Sequence, residues 1–356
     1  MKMTFRWFGP KDDCITLEQI RQIPGRPGVV GTLYGIPAGE VWPKEQIAEL
    51  KSLVNAAGLS LEVIESVNIH DAIKTGAPER DRCIENYITT IKHLSEAGVK
   101  VICYNFMPVF DWTRSDLFKP LEDGSTALSY EQSVIDKIDP ENIAETIAKS
   151  SRGFLMPGWE PERMERLKEL FAAYKDVTEE KLVANFKYFL NAIMPACEKH
   201  HVKMAVHPDD PPWEIFGLPR IVRNAQDVRR LFSLADSPYN GLTLCTGCFG
   251  ANPDNDIPAM IREFGPRIHF THVRNVKIHA RGNFNEVSHL SADGSLDVYE
   301  IMKAYYDIGF TGYIRPDHGR MIWNEQGRPG YGLYDRALGI AYLNGLWEAL
   351  RKGGGR

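Results

Sequence analysis

Along the chain, short runs of β-branched and aromatic residues alternate with longer stretches whose apolar positions recur every three to four residues. The short runs predict strands at Met3–Phe8, Val29–Tyr34, Ser60–Glu65, Lys100–Asn105, Lys203–His207, Leu242–Cys245, Ile268–His272 and Gly312–Arg315. The stretches between them read as helices. "PKEQIAELKSLVNAAG" offers Pro43 for the first turn and Gly58 for the C-terminal cap. "RDRCIENYITTIKHLSEAG" ends the same way at Gly98. Asp176 to Glu179 reads as a capping box opening a helix that runs to about His200. Asn224–Leu234, Ile257–Phe264, Leu296–Ile308 and Tyr334–Lys352 complete the set.

Strands separated by helices imply parallel pairing through crossovers. Eight repeats predict a closed (β/α)8 TIM barrel, an α/β fold, and no G-x-G-x-x-G follows the first strand to suggest dinucleotide binding. About 250 residues suffice for such a barrel. The excess lies mostly between strands four and five, where a long, mainly helical insertion is expected over about 107–178. It includes "DPENIAETIAKSS", the apolar "GFLMPGW", and a stripe of Met164, Leu167, Leu170, Phe171 and Tyr174. One domain is expected over 1–352, followed by a disordered tail at 353–356.

Composition narrows the class of partner. A net charge of −5 gives no electrostatic reason to expect nucleic acid. No apolar run is long enough for a membrane span, and the N-terminus lacks the h-region of a signal peptide. Six scattered cysteines form no secreted disulfide framework, so a reducing cytoplasm is expected.

The chemistry gathers where the strands end. Catalytic groups of a (β/α)8 barrel sit at the carboxyl ends of its strands. Strands five to eight finish on His207, Cys245, His272 and Asp317. Closure brings these ends to one opening, where all four converge on a single cation. Other polar residues have plainer readings. His200 and His201 suit a helix C-terminus, and Cys248 lacks a second C-x-x-C pair to make a zinc knuckle. His269 faces the opposite side of its strand from His272. Asp209 and Asp210 read as a solvated loop. In "FMPVFDWTR", Asp111, Trp112 and Arg114 are candidate substrate contacts, because a Trp face and an Arg fork suit a sugar acid; Arg315 of strand eight joins them. In "IRPDHGR", His318 faces the same mouth as a neutral proton carrier, and Gly319 lets the chain turn away.

"FRWFGPKDD", "GTLYGIPAGEVWP", "YNFMPVFDWTR", "HPDDPPW", "LCTGCFGANPDND", "HFTHVRN", "RPDHGR" and "PGYG" together resemble the mannonate dehydratase family, of the xylose-isomerase-like barrels. The resemblance runs in order over nearly the whole chain. It implies dehydration of D-mannonate to 2-keto-3-deoxy-D-gluconate in hexuronate (glucuronate) catabolism, with Mn²⁺ or Fe²⁺ as cofactor and a homo-oligomer, a dimer, as the assembly. It assigns the metal to His207, Cys245, His272 and Asp317, and catalysis to His318 and Tyr331, with Tyr334 close enough in sequence to be confused with the latter. Two alternatives stand beside it: a metal-dependent sugar isomerase or epimerase, and a non-catalytic metal- or sugar-binding barrel. A single-metal set containing Cys argues against the first, and a positioned proton carrier against the second.

Overall fold

The computed structural model describes residues 1–138 and 165–353. Four strands come first: β1 (Lys2–Arg6), β2 (Gly28–Gly31), β3 (Leu61–Glu65) and β4 (Val101–Tyr104). A hairpin follows, β5 (Asp116–Pro120) and β6 (Thr126–Glu131). Then come β7 (Lys203–Val206), β8 (Asn240–Cys245) and β9 (Ile268–His272), a second hairpin of β10 (Val276–Ala280) and β11 (Asn283–Glu286), and finally β12 (Tyr313–Arg315).

Strands β1, β2, β3, β4, β7, β8, β9 and β12 are the eight expected, and they close into a barrel in that order, β12 returning to β1. Every pair is parallel. Such strands are covered on both faces: all six residues of β8, the polar Asn240 and Thr243 included, are buried. Alternation sorts the two faces. Val30, Val63, Val101, Cys103, Ala205 and Phe270 fill the barrel interior. Leu242 and Leu244 belong instead to the larger core shared with the helices.

The helices follow their apolar stripes. In Lys44–Ala56 the buried residues are Ile47, Leu50 and Val54. Pro43 is its N-cap, one position earlier than expected, and Gly58 takes the positive φ of +73° that ends it. Helix Glu179–His200 is capped by Thr178, whose side chain accepts from Lys181 N, and not by Asp176. No described helix is long and apolar enough to cross a membrane.

The segment expected to be mainly helical differs. Its described part carries the β5–β6 hairpin before the short helix Gln132–Ile135 and the helix Leu167–Tyr174. Residues 139–164 of that stretch, with "DPENIAETIAKSS", "GFLMPGW" and Met164, lie outside the described residues. Strand β6 pairs antiparallel with β11, giving a four-stranded sheet ordered β10-β11-β6-β5. The second hairpin was also unexpected. The two hairpins join only through β6 and β11, about 150 residues apart in sequence, and local periodicity carries no trace of that. A bridge between Thr126 and Met321 ties the sheet to the loop after β12.

Candidate active site

Strand register assembles the site. Cys245 pairs with His272, and His272 pairs with Arg315, so the last residues of three neighbouring strands form one row. His272 shares the inward face of Phe270, with ring centroids 4.7 Å apart. His207 lies one residue beyond β7, its ring 5.1 Å from that of His272. Asp317 lies two residues beyond β12 and adopts φ +62°. The sharp turn is therefore made at Asp317 and not at Gly319, a costly conformation for a side chain with a Cβ.

Cys245, His272 and Asp317 offer ligand atoms within 4.8 Å of one another, as do His207, Cys245 and Cys248. Cys245 Sγ stands 3.4 Å from Asp317 Oδ2, and His272 Nδ1 stands 3.5 Å from Asp317 Oδ1. A thiolate and a carboxylate that close need a shared proton or a cation between them. His272 Nε2 is buried and has no hydrogen-bond partner among the described residues. One thiol, two imidazoles and one carboxylate make a donor set of mixed hardness that fits a first-row divalent metal.

Charge favours the ligating forms. Burial raises the Cys245 thiol, but hydrogen bonds from Cys248 and His207 and the charge of Arg274 bring it well below its ordinary range. Burial and the Arg315 charge push His272 down, which keeps its imidazole neutral. Asp317 is buried, yet His318, Arg315, His272 and Arg274 hold it well below the usual carboxylate range. Arg315 Nη2 lies 2.8 Å from Asp317 Oδ1 and 2.9 Å from Glu65 Oε1.

Above this cluster a small polar cavity of ≈ 40 Å³ is lined by Trp112, His207, Arg274, Arg315, Asp317, His318 and Tyr331, among others. His318 Nε2 is 2.8 Å from the Tyr331 hydroxyl, and their rings meet edge to face at 4.6 Å. Tyr334, the near neighbour in sequence, is exposed and packs at a tilt against Trp323 instead. Arg315 reaches the cavity with Nε and Nη1 unpartnered among the described residues.

Arg114 does not line the cavity. Its guanidinium is already forked by Asp210 at 2.7 and 2.9 Å and held by Glu286 at 3.0 Å. Asp210 is correspondingly buried, not solvated, and its two arginines Arg114 and Arg274 overcome burial to keep it ionised. Asp209 is buried too, accepting from the backbone N–H groups of Ile221 and Val222. His269 turns away as expected and bonds Met204 O.

Three residues at the mouth escaped sequence reasoning: Glu65, Arg274 and Glu286. Arg274 contacts Asp317, Asp210, Glu286 and Cys248. Gly247 makes room for it, since a Cβ there would lie 2.3 Å from Arg274 Nε. A charged residue two positions past a strand end was visible in "HFTHVRN". Glu286 comes from β11 and gave no comparable signal.

A closed (β/α)8 barrel with metal-competent donors at its strand ends around a polar cavity is the class that the fold and site define. A D-psicose 3-epimerase crystal structure shares the fold at TM-score 0.54 and 12% identity. The particular family follows from the whole chain. Residues 1–355 match the family model described as D-mannonate dehydratase (UxuA), and the chain belongs to that family. It is 60% identical over 354 residues to a mannonate dehydratase of Thermotoga neapolitana, covering 99% of this chain and 98% of that one. A mannonate dehydratase of Geobacillus thermodenitrificans is 60% identical over 352 residues, covering 98% and 95%. The crystal structure of the mannonate dehydratase from Streptococcus suis superposes with TM-score 0.91 at 46% identity, covering 100% of this chain and 96% of that one.

Proposed function

We propose that the protein dehydrates D-mannonate to 2-keto-3-deoxy-D-gluconate, as a step of hexuronate breakdown. The observation that carries this is the 2.8 Å contact of His318 Nε2 with the Tyr331 hydroxyl at the rim of the Cys245–His272–Asp317 cluster. Removal of the C2 proton, next to a carboxylate, creates a dianionic centre, and the C3 hydroxyl leaves only if it is protonated. His318 and Tyr331 are the pair that moves those protons. Burial raises the Tyr331 phenol, so it rests protonated. Arg315, with two free donors over the cavity, takes the substrate carboxylate. Trp112, its ring 6.4 Å from His318, forms an apolar wall for the sugar chain.

His207, Cys245, His272 and Asp317 would hold Mn²⁺ or Fe²⁺, which would supply Lewis-acid stabilisation of the developing negative charge. All six cysteines are free, which suits a reducing cytoplasm. Trp323, Tyr334 and Leu338 expose apolar surface of the kind a homodimer covers.

The test is incubation of Mn²⁺-loaded protein with D-mannonate and assay of a 2-keto-3-deoxy acid, beside His318→Asn. The keto acid is expected from the parent, with turnover reduced by ~10²–10⁴-fold in the variant at unchanged metal content. An epimer or ketose as product would assign the barrel to the isomerases, and binding without product would make it a receptor.

A further inference from the structure

The geometry points to Glu286 as a positioning residue that fixes His318 with its proton on Nδ1, leaving Nε2 to take a proton from Tyr331. This rests on the assignment of His318 and Tyr331 to proton transfer, and it adds the direction of that transfer and the residue that sets it.

Glu286 ends β11, outside the barrel, on a strand whose pairing with β6 sets Phe284 opposite Tyr130 and Asn285 opposite Ser129. Its carboxylate is buried and meets three donors at Oε1: Arg114 Nη2 at 3.0 Å, Arg274 Nη1, and His318 Nδ1 at 2.8 Å. The guanidinium charges of Arg274 and Arg114 hold it ionised against burial. An ionised carboxylate only accepts hydrogen bonds. The short contact to Nδ1 therefore requires the proton to sit on that nitrogen. Arg274 Nη1 also lies near Nδ1, but at 3.3 Å it is the longer contact, against 2.8 Å to the Glu286 carboxylate. A neutral imidazole carrying Nδ1–H has its lone pair on Nε2, and the group 2.8 Å from Nε2 is the Tyr331 hydroxyl. Tyr331 accordingly donates and His318 accepts. When the proton moves from the phenol oxygen to Nε2, Glu286 faces the resulting imidazolium from the Nδ1 side. A carboxylate behind a histidine that selects its tautomer is a recurrent device in acid–base sites. Here the carboxylate is delivered by the accessory sheet and not by the barrel.

Three variants of the Mn²⁺-loaded protein test this: Glu286→Gln, Glu286→Asp and Glu286→Gln combined with His318→Asn. Aspartate keeps the charge that Arg114 and Arg274 need but falls one methylene short of His318. The expected result is a kcat reduced on the order of 10²-fold in Glu286→Gln and at least about tenfold in Glu286→Asp, with KM and metal content within about twofold. In the combined variant, Glu286→Gln should add nothing to the loss already caused by His318→Asn. A role limited to neutralising the arginines predicts full kcat in Glu286→Asp, and independent losses in the combined variant; either result overturns the proposal. If His318→Asn itself keeps full turnover, the assignment of the proton pair fails first, and the inference falls with it for a visibly different reason.

Discussion

His269 and His272 lie three residues apart on β9 and show how face decides the fate of a side chain. His272 points inward to the metal-competent cluster. His269 points outward and is buried against Gly241, where any Cβ would come within 2.3 Å of the imidazole. Its Nδ1–H donates to Met204 O, and burial lowers its pKa to about 4. The unfolded chain binds the proton near the ordinary value of about 6.5. Between those values the unfolded state holds more protons than the folded one, so stability present above pH 6.5 is lost as pH falls toward 4. The loss expected from this one residue is about 3 kcal/mol. Denaturant unfolding of parent and His269→Gln across that range checks it, and an equally steep decline in the variant would assign the acid sensitivity elsewhere. The opposite orientation of the two histidines was legible from spacing alone. The burial of Asp210 and the occupied fork of Arg114 were not, because pairing between residues 96 positions apart leaves no local pattern.

At the scale of elements, the barrel strands were legible and the accessory sheet was not. A strand buried on both faces and built of β-branched and aromatic residues, such as β4, announces itself. The hairpins are short, partly polar, and stable only once joined. "VKIHARGNFNE" carries a turn at Gly282, yet its pairing partner is β6, and only the folded sheet reveals that Glu286 belongs to the site. Phe284 locks this sheet: it is buried, stacks on Tyr130 at 5.7 Å, and supports the guanidinium of Arg114 at 5.3 Å. Phe284 is absent from the cavity lining. Phe284→Ala should cost about 3–5 kcal/mol of local packing and lower kcat by about tenfold or more through displacement of Glu286. Steady-state kinetics well below the unfolding midpoint, with metal content on the same sample, measure this. Unchanged kcat in a loosened sheet would show that Glu286 is held by its arginines alone.

At the scale of the molecule, the proposed ligands come from four consecutive barrel strands, β7, β8, β9 and β12, so one ion joins half of the barrel wall. Anything bound to the native state and not to the unfolded chain stabilises the whole fold by mass action, about 4 kcal/mol at a free concentration near 1,000 times Kd. Mn²⁺ should therefore raise Tm by several degrees over chelated protein. The two sulfurs divide the possibilities. Cys245 lies in two of the three ligand groups among the described residues, with His272 and Asp317 and with His207 and Cys248; the third is Glu65, Cys103 and His272. Cys248 Sγ already accepts from Arg274 Nη2 at 3.2 Å, which ties it to the cation network rather than to the ion. Cys245→Ser replaces a soft thiolate by a poorly ionised hydroxyl and should abolish most of the Tm rise, whereas Cys248→Ser should keep it. Calorimetry of each variant with and without Mn²⁺ makes the comparison. Loss of the rise in both would move the ion onto the Cys245–Cys248–His207 group and away from Asp317, leaving that carboxylate to Arg274 and Arg315.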